Sequence, residues 1–588
     1  MFKKLFLPKK LSTRELSTLA MLVAITAVLA IFGTFRFFGP AIKIPTKFVS
    51  VFITGVFFGP VAAGLVAATG DILNVFLAPS GGAWIPQLTL VEFLYGFVYG
   101  IMFYRRSFKG VGYVTRAVIC VLIQVGIDLF ITTSILVSCK FFSSFAVGVG
   151  IRLPASIIKG ILQAVVLFAG MGYLDIFKKE IERNSFKSYA NSFQTVSKLG
   201  LERIETLLGF MGNPQEKLKC IQVAGTNGKG SVVAFLQAIL TNAGYKTGKF
   251  ISPNMVKVNE RVCIDGKEIG DSDLSRILGK IEKFSKKVEK QTGNLPTQFE
   301  IWTAAAFAYF AEQKCDYVVL ETGMGGRFDA TNVVKKNVLS IITRIDLDHM
   351  EYLGDTIEKI AFEKAGIIKA GSPVLSVKQM SGALDVIQKR ADELGSTFTL
   401  VNAPEEGTHS DIYEFYDDGG IHVQLGLGGV HQLENAALAV AAAGILNIDK
   451  KYIIKGLESA VNPGRFEMTD KNTVFDGAHN PNGTVALVKN LNKYFPNREK
   501  VYIMAAMKDK DIKGNLRILS ETDGEFRFVA VKDNSRSASA EELQKIAKEA
   551  GITGEVYNSL KDAFKDTKGK LVVICGSLYL YKDYKEIK

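Results

Sequence analysis

The sequence predicts a multidomain chain: a bundle of six transmembrane helices followed by two α/β domains. Three observations predict it. The 588 residues exceed what a single hydrophobic core supports. The charges are unevenly spread: residues 1–180 hold 17 Lys and Arg against 6 Asp and Glu, and the remainder holds 54 against 52. Beyond residue 197, short apolar runs ending in glycine-rich turns alternate with helical stretches, the pattern of a largely parallel sheet. Hydrophobic residues make up 48% and mean hydropathy is +0.18, which excludes a disordered or collagen-like chain. The basic residues of the first third bracket apolar runs instead of clustering among polar ones, so a membrane is favoured and nucleic acid is excluded as the partner. The cysteines Cys120, Cys139, Cys220, Cys263, Cys315 and Cys575 lie far apart with no CxxC or Cys/His spacing, which favours free thiols over disulfides or zinc.

The membrane elements come first. Residues 48–70 are uncharged over 23 positions and residues 72–91 over 20, each enough to span a bilayer. Other expected spans are residues 16–35, 88–104, 115–139 and 153–174. The run 48–79 divides into two at Gly59-Pro60, giving six. Lys3, Lys4, Lys9, Lys10 and Arg14 precede the first span, Arg105, Arg106 and Lys109 follow the fourth, and Lys178 and Lys179 follow the sixth. An even count with both ends cytoplasmic satisfies all three clusters. The loop 36–47, RFFGPAIKIPTK, then carries its positive charge outside. That charge either attracts an acidic ligand or reflects interfacial snorkelling. Asp71, Glu92 and Asp128 lie in or beside apolar spans, where acids default to functional roles, although Asp71 at a helix start would suit the dipole. Ala20, Ala24 and Ala27 permit close packing on the first helix.

The stretch IPTKFVSVFITGVFFGPVAAGLVAATGDIL, with the alanine-rich first helix, resembles the S-component of energy-coupling factor (ECF) transporters over about residues 10–180. RFFGPAIKIP and GDILN resemble its folate-specific members. The resemblance implies a vitamin-binding membrane subunit, set in lipid, that works with a separate ECF transmembrane coupling subunit and two ECF ATPases. Ala20 and Ala24 would face the coupling subunit. Polarity near the outer span ends marks Arg36, Lys43, Trp84 and Gln87 as candidates to hold the pterin.

Residues 178–197 are polar and read as a cytosolic connector or exposed helix. Expected domains are therefore 1–177, the connector 178–197, an ATP-binding domain 198–465 and a C-terminal domain 466–588. The sharpest motif is AGTNGKGS at 224–231, between the strand of KCIQVAG and a helix. Glycines bring main-chain amides to phosphate oxygens, Lys229 reaches the terminal phosphates and the Ser231 hydroxyl suits Mg²⁺. The strict P-loop pattern is broken, because Val223 takes the first glycine position and Gly230 separates lysine from serine. Glu321 ends the strand of DYVVLETG, at the mouth of the sheet where ligands bind. His349 follows LSIITRID, and Lys364 lies fifteen residues on. His431 opens the helix of NAALAVAAAGIL, Pro463-Gly464-Arg465 precedes a short connector, and Asp476 and His479 lie in VFDGAHNP.

LLGFMGNPQEKLKCIQVAGTNGKGS, ISPNMVKVNERV, TQFEIWTAAAF, LETGMGGRFDATN, LDHMEYLGDTIEKIAFEKAGIIK, HQLENAALA, PGRFE and DGAHNP occur in this order. Together they closely resemble the folylpolyglutamate synthase/dihydrofolate synthase family of the Mur ligase superfamily, over about residues 197–588. The implied fold is a Mur-ligase-type P-loop ATPase domain with an α/β C-terminal ligase domain, in the cytoplasm below a multi-pass membrane part. One departure is Asn254, where the family usually has histidine.

By that resemblance Gly225, Thr226, Asn227, Gly228, Lys229, Gly230 and Ser231 would cradle ATP, with Asn435, Arg465 and Asp476 also contacting it. Ser231, Ser252, Glu321 and His349 would bind magnesium, with Lys364 in carbamylated form serving a second Mg²⁺ site. Lys229, His349, Lys364 and His479 would be the catalytic set, with folate and L-glutamate as substrates. Adding glutamate to a folate, adding it to dihydropteroate, or both, remain open, as do a non-catalytic folate sensor and an S-component for another vitamin.

Overall fold

The computed structural model describes residues 13–37, 42–77, 84–104, 111–191 and 200–588. It divides into Met1–Asn184, the expected membrane unit, and Ser185–Lys588, the expected ligase unit.

In the membrane unit, four stretches among the described residues are long and apolar enough to cross a bilayer: Pro60–Leu77, Pro86–Phe103, Val111–Ser138 and Phe145–Ala169. Leu16–Ile31 and Phe48–Phe58 are apolar but shorter. The expected break at Gly59-Pro60 is present. The expected first span is corrected at its end. Its helix, Thr13–Ile31, stops before a two-stranded antiparallel ladder of β1, Thr34–Phe37, and β2, Ile42–Pro45. β-branched and aromatic residues favour that ladder over another helical turn. Packing is tightest between Pro60–Leu77 and Pro86–Phe103, where a Cβ on Gly96 or Gly100 would meet the main chain at Ala63 or Pro60. The small core holds Val51, Phe52, Tyr99, Phe103 and Tyr113. Leu65, Phe76, Leu122 and Ile161 are exposed, as a lipid-facing surface requires.

Two groups of charges among the described residues of this unit are paired. Asp71 sits within its helix and not at the start, and Lys47 lies 3.6 Å from it and 2.9 Å from Glu92. Lys47 is buried, so part of the positive charge in the loop 36–47 turns inward. Asp128 lies in a π-helical turn, Ile127–Thr132, and is met by Arg152 at 2.9 Å, Lys159 at 3.8 Å, the Tyr95 hydroxyl at 3.1 Å and Ser156. The last helix, Phe145–Asn191, runs through most of the expected connector.

The ligase unit contains two larger sheets. The first has the order β10-β9-β8-β3-β7-β4-β5-β6. Its strands are β3 Cys220–Ala224, β4 Thr247–Phe250, β5 Val262–Ile264, β6 Lys267–Glu268, β7 Tyr317–Glu321, β8 Leu339–Ile342, β9 Val374–Val377 and β10 Phe398–Val401. The run β10 to β4 is parallel and β5 and β6 are antiparallel. β3 is central and fully buried, which explains its unbroken apolar run. Helix Lys229–Asn242 lays Val232, Phe235, Leu236 and Ile239 on β3, and the alanine-rich helix Gln432–Ile445 joins that core.

A small antiparallel sheet follows: β11 His409–Ser410, β12 Tyr413–Asp418 and β13 Ile421–Gln424. The last sheet has the order β14-β15-β19-β16-β17-β18. Its strands are β14 Glu467–Asp470, β15 Thr473–Phe475, β16 Lys500–Met504, β17 Glu525–Phe528, β18 Gly554–Val556 and β19 Leu571–Cys575, parallel except for β14. The expected α/β alternation is present in both large sheets. At the end of β15 the chain turns into helix Pro481–Tyr494, capped by the Asn480 side chain on Gly483 N at 2.9 Å.

Candidate active site

β3 delivers the chain into Gly225 and Gly228, whose φ angles are 149° and 90°. A side chain at Gly225 would collide with the Thr343 hydroxyl, and one at Gly228 with the Asn435 amide. The loop is pinned from outside: Thr226 N donates to Arg344 O at 2.9 Å, and the Thr343 hydroxyl donates to Asn227 O at 2.7 Å. The helix then begins at Lys229, so its free amides face the loop.

Lys229 folds back, its Nζ 3.0 Å from both Gly225 O and Thr226 O. Burial lowers its pKa. Lys364 is buried and donates to Gly225 O at 2.7 Å. Burial first, and the Lys229 charge second, bring its amine down to about 7. That lowered value sets Lys364 apart from an ordinary surface lysine. Glu321 ends β7, is buried, and accepts from Ser252 N at 3.2 Å; burial raises its pKa. Ser231 is buried and its hydroxyl accepts from the Asn462 side chain at 3.3 Å.

Asp348 and His349 follow β8. Burial works to raise the Asp348 carboxyl, yet His349 and the Lys510 ammonium hold it well below the usual carboxylate range. Burial pushes His349 down to about 4. From the far side, Asp476 accepts from Phe466 N at 2.9 Å and Ala478 N at 2.7 Å, and burial lifts it to about 6. The His479 ring bonds Gly477 O at 2.7 Å, and burial pushes its pKa down to about 4.

One cavity of about 490 Å³ gathers these groups. Residues 225–231, Ser252, Glu321, His349, Lys364, Asn435, Arg465, Asp476 and His479 all line it. The expected ligase residues, scattered over 250 positions, thus share one space. Asn254 is turned toward Arg261, whose Nε donates to its Oδ1 at 2.8 Å. In the membrane unit, Trp84 and Gln87 are exposed, and Trp84 Nε1 donates to the Thr89 hydroxyl at 3.0 Å, which donates to Asp71 at 2.8 Å. Arg36 and Lys43 are paired along the β1–β2 ladder. Ala20 and Ala24 are exposed on one face, whereas Ala27 is buried.

Sequence reasoning missed Asp348, Asn480 and Lys510. Lys510 Nζ donates to Asp348 at 2.7 Å. Asn480 Nδ2 donates to Asp348 at 3.3 Å and to Asn227 Oδ1 at 3.2 Å. In sequence these are short charged or polar loop residues, which read as solvated surface. Only their convergence on the phosphate loop distinguishes them.

Comparison with known proteins bears on the whole chain. Family profiles match in three places: the ECF transporter substrate-specific component over residues 14–169, the Mur ligase middle domain over 223–443, and the Mur ligase glutamate ligase domain over 464–578. Dihydrofolate synthase/folylpolyglutamate synthase of Bacillus subtilis is 35% identical over 413 residues, spanning 66% of this chain and 95% of that protein. The chain belongs to the dihydrofolate synthase/folylpolyglutamate synthase family.

Folylpolyglutamate synthase of Lacticaseibacillus casei is 32% identical, over 67% of this chain and 95% of that one. A solved Mycobacterium tuberculosis folylpolyglutamate synthase, complexed with ADP and AMPPCP, superposes with TM-score 0.64 at 27% identity, covering 70% of this chain and 98% of that one. An Escherichia coli relative, in complex with DHPP and ADP, gives TM-score 0.61 at 29% identity, covering 69% and 97%. The protein is thus an ECF S-component domain fused to an ATP-dependent ligase of the folylpolyglutamate/dihydrofolate synthase family. Its apolar helices and S-component domain mark it as membrane-associated.

Proposed function

We propose that the ligase unit joins L-glutamate to the γ-carboxylate of a folate, and that the membrane unit supplies that folate. The observation that carries the ligase reading is the single cavity uniting the phosphate loop, Glu321 and Lys364 with Arg465, Asp476 and His479. Residues 225–231 bind the ATP phosphates, while Asn435, Arg465 and Asp476 hold the rest of the nucleotide.

The donor set fits magnesium. Two hydroxyls and a carboxylate beside a phosphate loop are hard oxygen ligands, and Mg²⁺ takes its other ligands from phosphate and water. Ser231, Ser252, Glu321 and His349 would hold it, directly or through water. When bound, magnesium supplies positive charge against the phosphate oxygens.

Lys364 serves a second magnesium site as a carbamate. The Lys364 ammonium gives up one proton to become the free amine, and the amine adds to carbon dioxide with loss of a second, which converts a buried cation into an anion. The folate carboxylate attacks the γ-phosphorus of ATP, ADP leaves, and an acyl phosphate forms. Lys229 neutralises charge developing on the phosphoryl group. His479 assists at the phosphate end. The neutral amine of glutamate then attacks the acyl carbon, and the tetrahedral adduct releases phosphate to leave the amide.

The domain limits 1–177, 198–465 and 466–588 stand as our division of the chain. The membrane unit spans the bilayer six times, with its N-terminus and the ligase in the cytoplasm. Ala20 and Ala24 offer a close-packing face to the ECF coupling subunit, which works with two ATPases. Arg36, Lys43, Trp84 and Gln87 remain candidates for the pterin. Each glutamate added to an imported folate increases its charge and blocks its return through lipid, so import and trapping are linked on one chain.

The test offers the full chain in lipid nanodiscs ATP, Mg²⁺ and glutamate, with tetrahydrofolate or dihydropteroate, and reads products by mass. A glutamate-sized gain on tetrahydrofolate is expected. A gain on dihydropteroate alone assigns a biosynthetic dihydrofolate synthase and removes the trapping role.

A further inference from the structure

Asp348 holds the most connected carboxylate at the rim of the cavity. Its Oδ1 accepts from His349 N at 2.8 Å and from Lys510 Nζ at 2.7 Å; its Oδ2 accepts from Asn480 Nδ2 at 3.3 Å. Two of these three donors come from the C-terminal sheet domain. The Asp348 and Lys510 side chains are 13% and 10% exposed, so the pair is shielded from water. Asn480 also exchanges amide hydrogen bonds with Asn227 of the phosphate loop, at 3.2 and 3.3 Å.

Lys510 is held where it can act this way. It sits between β16 and helix Ile512–Leu519, with its N–H on Met507 O at 3.1 Å and its carbonyl taking Ile512 N at 2.8 Å. The Asp511 side chain caps the helix that follows. The Lys510 ammonium is near enough to Lys229, His349 and His479 to lower the pKa of each.

We propose that Lys510 is a positioning residue for the ligase reaction: through Asp348 it holds the C-terminal domain closed on the phosphate loop, so that the acyl phosphate meets glutamate and not water. This rests on the ligase reading above. The physical argument is one of alternatives. Closure sets the two charges against each other; without the Lys510 ammonium the closed arrangement buries the Asp348 carboxylate with no lysine opposite it, whereas opening lets water solvate it. The pair therefore favours the closed arrangement, which excludes water from a reactive intermediate. When the site opens early, water attacks the acyl carbon, the bond to the phosphate oxygen breaks, and carboxylate and inorganic phosphate leave. The net result is ATP hydrolysis with no amide made.

The experiment compares wild type, Lys510→Met and Lys510→Arg as full chains in nanodiscs. One readout is phosphate released per amide formed. The other is the distance between spin labels at exposed Lys336 and Lys561, in a Cys139→Ser background, with a non-hydrolysable ATP analogue present. Lys510→Met is expected to raise the phosphate-to-amide ratio roughly three-fold or more and to add a second, longer distance. Lys510→Arg, which keeps the charge, is expected to restore both. An unchanged ratio in Lys510→Met, or one shared distance in all three proteins, overturns the proposal. A wild-type chain that makes no amide from either acceptor rejects the ligase reading instead, and the distance measurement still decides the closure.

Discussion

Lys47 and Lys364 are both buried lysines, one in each unit, and they are treated in opposite ways. Lys47 reaches two carboxylates, Glu92 and Asp71. Lys364 reaches a main-chain carbonyl. The same contrast runs through both units. Asp128 gathers Arg152, Lys159, Ser156 and Tyr95, while Lys229 bonds two carbonyls. Lipid offers no alternative partner, so these membrane charges find partners of opposite sign within their own unit. The ligase unit leaves cations directed at a cavity because their partner is a polyanion that arrives and departs. Paired charge maintains a structure, whereas unpaired charge around a cavity is held for a ligand.

The contrast breaks most sharply at Lys229. Lys229→Met is expected to lower ligase turnover by about a thousand-fold or more with the fold intact. Steady-state kinetics beside a thermal unfolding curve checks both halves. A large loss of stability with modest loss of turnover would mean that Lys229 is structural, as Lys47 is.

The membrane unit supplies the next effect. Asp128→Asn removes the carboxylate shared by Arg152 and Lys159, and is expected to destabilise that unit by about 3–5 kcal/mol. Combining Asp128→Leu with Arg152→Leu is expected to cost less than Asp128→Asn alone, because fewer charges are stranded. Thermal unfolding in nanodiscs measures both, and equal losses would show that the cluster is not an internally balanced set.

A smaller effect concerns pH. All five histidines of the chain lie in the ligase unit. Burial holds His431 and His479 down to about 4 in the fold, against about 6.5 in an unfolded chain. Between these values the unfolded state binds more protons. The contribution to stability is therefore intact above pH 6.5, falls as pH drops toward 4, and levels off below. Ligase unfolding followed from pH 7.5 to 4 is expected to show this decline. His431→Gln is expected to flatten part of it.

Much of the ligase was legible because its chemistry is local. AGTNGKGS announces a phosphate loop in eight residues, and the buried β3 beside it reads as an unbroken apolar run. Four of the expected membrane helices were legible from length and hydropathy, since a bilayer imposes both; the helices Leu16–Ile31 and Phe48–Phe58 are shorter. The end of the first span was misread because Phe32 to Phe35 continue the uncharged run past the helix end, up to Arg36. The pairing of TFRF and IKIP as a ladder depends on two segments meeting, which hydropathy does not record. Asp71 was open to reading as a helix start, and only its placement inside a helix beside Lys47 shows that it is a paired interior charge.

The sequence by itself determined the order of units and the phosphate loop. Each rests on residue types at short spacing, where covalent geometry keeps neighbours together. Tertiary structure alone decided that Lys364 lies against Gly225, 139 positions away, and that Lys510 meets Asp348 across 162. The physical reason is that burial and long-range charge pairing are properties of a packed interior. A lysine has the same sequence signature whether it is solvated, paired or waiting for a ligand, and only the fold sets its surroundings.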